Sequence, residues 1–240
     1  MNAVIHYLSH SGWAVKTANA IFIFDYYMPD AQDDRDLEDG VVNLHKLKDQ
    51  RVYFFSSHSH NDHYSKQLNE AVARYPDMTF ITGAFKAPFA ANIVMQPRQT
   101  LTLDDLTITT GASTDEGVCF LVCSPDICLF HAGDHANWDS DAVMPSYRSE
   151  IDFIAEQRRG IDAAFLPVCY FGGEKARQLT QGAFYAIQKL NPSLVFPMHG
   201  GFHESVYQEF AVEAKAAGIP NRIICMEQEG GRYTIHDDDL

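Results

Sequence analysis

Positive charge is scarce in this 240-residue chain: eighteen Lys and Arg stand against thirty-two Asp and Glu, a formal net charge of -14. A surface with that balance repels polyphosphate, which argues against a binder of polymeric nucleic acid or of an anionic membrane. Long apolar runs are also missing. The longest, such as residues 20–24, suit a strand and fall far short of a bilayer span. Residues 1–8 mix polar and apolar types without a basic start, so no export signal is expected. Cysteine is sparse and odd in number. The five (Cys119, Cys123, Cys128, Cys169, Cys225) have no CxxC spacing, and all but Cys169 fall in predicted strands, where a buried free thiol is the expectation. A reducing, cytoplasmic setting fits that reading. The chain also lacks GxSxG, Walker A and dinucleotide glycine fingerprints, so neither a serine triad nor a nucleotide fold has a signal.

What the chain does have is apolar and aromatic material, 46% and 12% of its residues, enough for one well-buried core. No repeat or linker-like stretch divides it, so residues 1–240 are expected to form a single domain. Short β-type runs at 3–8, 12–16 and 20–24 are separated by turn chemistry and predict an antiparallel meander. An acidic loop follows at 29–40. Strands are expected at 51–57 and 78–82, with a helix at 66–74 and a short helix after Gly83. Three more strands at 106–110, 117–123 and 126–130 precede an alternating half. There, helices at 147–157, 176–190 and 204–217 separate strands at 163–168, 193–197 and 222–226. This plan is that of a layered α/β domain.

The informative segment is Ser57-His58-Ser59-His60-Asn61-Asp62-His63, directly after an apolar strand. At this composition an HxHxDH pattern arises by chance in roughly two chains per thousand. His58 and His60, two apart on extended backbone, point to one side and can share a cation. The turn beyond them can present Asp62 and His63 to a second position nearby. Imidazole nitrogen with carboxylate oxygen is a donor mix for zinc, manganese or iron.

The segment resembles the signature of the metallo-β-lactamase superfamily, and the likeness extends along most of the chain. Tyr7-Leu8-Ser9-His10-Ser11-Gly12 with Phe22-Ile23-Phe24-Asp25 is similar to that fold's opening hairpins. His131-Ala132-Gly133-Asp134 resembles the segment carrying its bridging carboxylate, and Phe196-Pro197-Met198-His199-Gly200 its last ligand-bearing strand end. Order and spacing resemble the smaller hydrolases, notably the branch related to ascorbate-6-phosphate lactonase. The resemblance implies a four-layer αββα sandwich. It implies that His58 and His60 hold a first metal, that Asp62, His63 and His199 hold a second, and that Asp134 bridges them. It also implies that Asp25 fixes an imidazole tautomer.

One departure concerns the first metal. Many members give it a third histidine from between the HxHxDH loop and the bridging aspartate, yet no histidine lies between His63 and His131 here. Either Asp115 or a neighbour within Gly111-Ala112-Ser113-Thr114-Asp115-Glu116-Gly117 substitutes, or His135 does, or the first site is weak. Unequal affinities, or a single bound metal, are therefore expected. His10, Tyr170 and His203 are candidate pocket residues beside their packing roles. The implied activity is that of a metal-dependent hydrolase with one or two zinc ions, manganese or iron being alternatives. Its substrate would be a small ester, lactone or phosphoester, with Asp62 orienting the attacking water. A nuclease or cyclic-nucleotide phosphodiesterase on the same fold, and a catalytically decayed metal-binding protein, are the rival readings.

Overall fold

A computed structural model describes residues 3–88, 93–138, 142–158, 160–169, 173–236 and 239. Among these, fourteen strands form two sheets of seven. The first sheet runs, edge to edge, through β14 (Arg232–Ile235), β1 (Ala3–Ser9), β2 (Gly12–Lys16), β3 (Ile21–Phe24), β4 (Val52–Ser56), β5 (Met78–Gly83) and β6 (Ile93–Met95). The second runs through β13 (Arg222–Ile223), β12 (Leu194–Met198), β11 (Ala163–Pro167), β10 (Cys128–His131), β9 (Val118–Cys123), β8 (Leu106–Ala112) and β7 (Thr100–Leu103). Strands β3 to β6 are mutually parallel, as are β10 to β13.

The sequence period explains the layering. Along β3 and β4 successive side chains face opposite ways. Phe22, Phe24, Tyr53 and Phe55 enter the core between the sheets, whereas Ile21, Ile23, Val52 and Phe54 join a second core on the outer face. Helices α1 (Leu44–Leu47) and α2 (Lys66–Val72) cover that outer face with Leu44, Leu47, Leu68 and Val72. Both faces are thus buried, which is why these strands read as unbroken apolar runs. Between the sheets the aromatic rings interlock: Trp13 of β2 lies 4.9 Å from Phe165 of β11, and Phe24 stacks on His131 at 4.9 Å.

On the far side of the second sheet lie α3 (Met144–Gln157), α4 (Gly173–Leu190) and α5 (Val206–Ala216). Tyr147, Ile151 and Ile154 recur at helical spacing on α3, and Tyr207, Phe210 and Ala214 do so on α5; both stripes are buried. The architecture is the expected four-layer αββα sandwich.

Several local expectations are corrected. Residues 84–88, where a short helix was expected to begin, are not helical, because Ala84 is left-handed (φ 61°) and Pro88 disfavours helical backbone before it; residues 89–92 lie outside the described residues. Strands β6, β7 and β14 and helix α1 add elements the sequence pattern did not supply. Cys123 and Cys128 sit opposite one another across the β9–β10 pair and are joined as a disulfide, so the buried free thiol in a strand is found at Cys119 alone; Cys225 is free but half-buried beyond the end of β13. No helix among the described residues is long and apolar enough to cross a membrane.

Candidate metal centre

The chemistry-bearing residues emerge from strand ends at one rim of the sandwich. The HxHxDH loop leaves β4, Asp25 ends β3, and His10 occupies the β1–β2 turn. From the second sheet, Asp115 tips the β8–β9 hairpin, Asp134 follows β10, and His199 follows β12. The loops are tied across the seam. The His199 amide donates to the His10 carbonyl at 3.1 Å, and the Val118 amide to the Ser57 carbonyl at 3.1 Å.

Two groups of ligand-capable atoms result, each with all members within 4.8 Å of one another. One joins His58, His60, Asp115 and Asp134; the other joins His10, Asp62, His63 and His199. Asp134 faces both. Its Oδ2 is 3.7 Å from His58 Nε2, while its Oδ1 is 3.2 Å from His63 Nε2 and 3.4 Å from His199 Nε2.

His10 Nε2, His63 Nε2 and Asp134 Oδ1 are buried polar atoms without a hydrogen-bond partner. Buried groups are ordinarily satisfied, and leaving one bare costs about 1–3 kcal/mol. Three such atoms converging among imidazoles and carboxylates suit a divalent cation of the borderline kind.

The outer faces of the rings are, by contrast, well held. Asp25 is fully buried; its Oδ1 accepts from the Ser57 amide at 2.7 Å, and its Oδ2 from the Ser57 hydroxyl at 2.7 Å and from His63 Nδ1 at 2.8 Å. His58 Nδ1 lies 2.9 Å from that same hydroxyl. One carboxylate therefore fixes His63 directly and His58 through Ser57, in each case leaving Nε2 turned inward. Burial alone would raise the pKa of Asp25, but the facing His63 holds it below the ordinary carboxylate value. Burial likewise opposes charge on His63, and Asp25 prevails and raises its pKa. His58 and His10 are pushed down, chiefly by burial.

Ser57 fits into this arrangement because glycines surround it. A Cβ on Gly117 (φ 72°) would stand 2.0 Å from the Ser57 carbonyl oxygen, and one on Gly133 (φ 54°) 2.5 Å from Ser57 Cβ. His10 (φ 54°), Asp25 (φ 44°) and His199 (φ 67°) are themselves left-handed, a concentration of backbone strain typical of functional sites.

The substitute ligands separate cleanly. Asp115 reaches the His58–His60 group because Thr114 Oγ1 donates to the Ala136 carbonyl at 2.6 Å and accepts from its amide at 2.9 Å, pinning the hairpin tip to the segment after Asp134. His135 belongs to neither group. It turns beneath α3, stacked on Tyr147 with Nε2 3.2 Å from the Tyr147 carbonyl, and burial lowers its pKa to about 4. His10, expected only in the pocket, is brought among the candidate ligands, and its Nε2 is 3.5 Å from Asp62 Oδ2. His203 is exposed and lies outside both groups, and Tyr170 lies outside the described residues. Cys169, which no motif marks, places Sγ 3.0 Å from His199 Nδ1.

Comparison with known proteins agrees with this geometry. A family model described as a beta-lactamase superfamily domain matches residues 4–199, and the chain belongs to the metallo-β-lactamase superfamily. No curated protein matches the chain in sequence. Among solved structures it is similar to Igni18, a metallo hydrolase from the archaeon Ignicoccus hospitalis, with a TM-score of 0.70 and 20% identity over 98% of this chain and 99% of that one. It is also similar to an isothiocyanate hydrolase from Delia radicum gut bacteria (TM-score 0.61, 14% identity, 97% and 98% covered). A third likeness is to CmlA, a diiron beta-hydroxylase from Streptomyces venezuelae (TM-score 0.68, 12% identity), which covers 98% of this chain and 54% of that one. At these identities the likeness is one of fold.

Proposed function

We propose that the protein is a metal-dependent hydrolase of small esters or lactones. The observation that carries this reading is the convergence of the unpartnered atoms His10 Nε2, His63 Nε2 and Asp134 Oδ1 at one rim. His58, His60 and Asp115 would hold one cation, His10, Asp62, His63 and His199 a second, with Asp134 between them. Zinc suits the donor set, with manganese or iron as alternatives. Such a cation lowers the pKa of bound water toward neutrality and polarises the scissile group.

The chain's own residues would do the rest. Asp62, whose side chain is 52% exposed, is the open member of its group and would orient the attacking water through a carboxylate oxygen. Asp25 would keep His63 and His58 in the tautomers that present Nε2. The resemblance of the motif order to the branch related to ascorbate-6-phosphate lactonase supports a carbonyl substrate, and the net charge of -14 speaks against a polymeric nucleic acid. The hairpin aspartate near the position where many relatives have a histidine speaks against a decayed site.

Elemental analysis with an ester and lactone panel tests the proposal. One or two metals per chain and turnover abolished by His60→Ala are expected; protein that takes up neither zinc, manganese nor iron would sink it.

A further inference from the structure

A cavity of about 390 Å³ opens directly onto the second group of ligands. Its floor is His10, Asp62 and His199; its walls include Tyr27 and Phe202. Phe202 is 80% exposed, the most exposed of the large apolar side chains among the described residues. Its backbone is left-handed, φ 68°, a conformation that bulky residues rarely adopt. The strain is held in place. The Phe202 amide donates to Glu204 Oε1 at 3.3 Å, the same carboxylate oxygen that accepts from Tyr7 at 3.1 Å, and the Gly200 amide donates to the Tyr207 hydroxyl at 2.8 Å. A loop anchored at both ends thus keeps an aromatic ring in water beside the candidate metal centre. Tyr27, which lines the same cavity, is fixed by Ser9, 3.3 Å away hydroxyl to hydroxyl.

Charge narrows the occupant. No Lys or Arg is among the described residues lining this cavity. Asp62 lines it, and in the other ligand group Glu116 Oε2 lies 3.6 Å from His60 Nε2 with Asp115 near by, so the carboxylates at this rim are the charged side chains an occupant meets. An anionic group carried away from the reacting centre would lose hydration against Tyr27 and Phe202 without meeting a counter-charge. An alkyl or aryl group would instead bury apolar surface on both rings, the usual character of a small-molecule pocket.

We infer that the substrate is an uncharged ester or lactone whose apolar group rests between Phe202 and Tyr27, and that Phe202 sets this preference. The inference rests on the hydrolase reading above and deepens it.

Two esters with one leaving group test it on the metal-loaded protein: 4-nitrophenyl hexanoate and the monoester of adipic acid, which adds a terminal carboxylate. The hexanoate is expected to have at least a tenfold higher kcat/KM. Phe202→Ala should raise its KM at least fivefold, with kcat changed less than KM. Phe202→Leu should recover most of the affinity, and Val212→Ala, an exposed apolar residue outside the cavity lining, should change neither constant. Equal turnover of the two esters, or an unchanged KM in Phe202→Ala, would overturn the inference and leave the hydrolase standing. Cleavage of 4-nitrophenyl phosphate in place of both esters would overturn the inference and the ester or lactone reading together, leaving only metal-dependent hydrolysis. Cleavage of none of the three, nor of any member of the lactone panel, would overturn both readings.

Discussion

Nδ1 of His63 donates to Oδ2 of Asp25 across 2.8 Å, inside a shell from which solvent is excluded. The same oxygen accepts the Ser57 hydroxyl, and that hydroxyl faces His58. One buried carboxylate therefore orients a ring in each ligand group, although Asp25 belongs to neither. Asp25→Asn keeps the shape and turns an acceptor into a mixed donor and acceptor. Zinc affinity is expected to fall roughly 10- to 100-fold at both positions, measured by competition with a chromogenic chelator. Unchanged affinity would show that the rings are oriented by packing alone.

Asp115 and His135 give opposite expectations. Asp115 lies with His58 and His60, whereas His135 is committed to Tyr147. Asp115→Ala should reduce the metal content by close to one ion per chain under mild chelation. His135→Ala should leave stoichiometry unchanged and lower stability by about 1–3 kcal/mol through lost buried packing and hydrogen bonding. Elemental analysis and urea unfolding of the two variants distinguish them.

Protons and metal compete for the same nitrogens. His63 and His199 have folded-state pKa values above the ordinary 6.5, raised against burial by Asp25 and Asp134 respectively. For the metal-free protein this stabilisation is full below pH 6.5 and is lost as pH rises through the folded values. Asp25 and Asp134 are shifted below 3.8, so their contribution is present above that value and lost as pH falls further. Between pH 6 and pH 8.5 the lowered pKa values of His10, His58 and His135 act in the opposite sense, because protonation below 6.5 then favours the unfolded chain. Metal requires neutral imidazole, so its affinity should rise over the same interval with release of protons. Titration calorimetry in buffers of different ionisation enthalpy would count those protons, and a count of zero would contradict the assignment.

Gly133 leaves no room for a side chain. Gly133→Ala places a methyl 2.5 Å from Ser57 Cβ at a left-handed φ of 54°. Steric displacement and backbone strain together should cost about 3 kcal/mol. Because Ser57 links Asp25 to His58, metal retention should fall as well. Gly160→Ala, also left-handed (φ 75°) but with open space around it, isolates the backbone share of the loss.

The frame of the sandwich was legible because β3 and β4 are buried on both faces, and an unbroken Ile-Phe-Ile-Phe run has few other uses. Strand β14 was not. Arg232 and its neighbours carry no apolar run, and they become a strand only by pairing with β1 from the other end of the chain. Helix α1, four residues long, is too short to show a period. At the site, HxHxDH announced itself because its spacing is local. The nearness of Asp115 depends on Thr114 meeting Ala136, and that of His10 on a backbone hydrogen bond to His199. These are contacts between distant segments, for which a single sequence has no local sign. The contact of Cys169 with His199 likewise joins distant segments.

Candidate ligands come from both sheets: His10, His58, His60, Asp62 and His63 from the first, Asp115, Asp134 and His199 from the second. An ion held among them is a rivet through the rim of the sandwich, fastening two leaves that adhere chiefly by their apolar inner faces. Its binding energy then counts toward closure, and the melting temperature should climb with the logarithm of free metal. Stripped of metal, the protein should open like a book at this rim, with amide exchange quickening in the loops after β4, β10 and β12 well before the buried strands Ile21–Phe24 and Ala163–Pro167 give way.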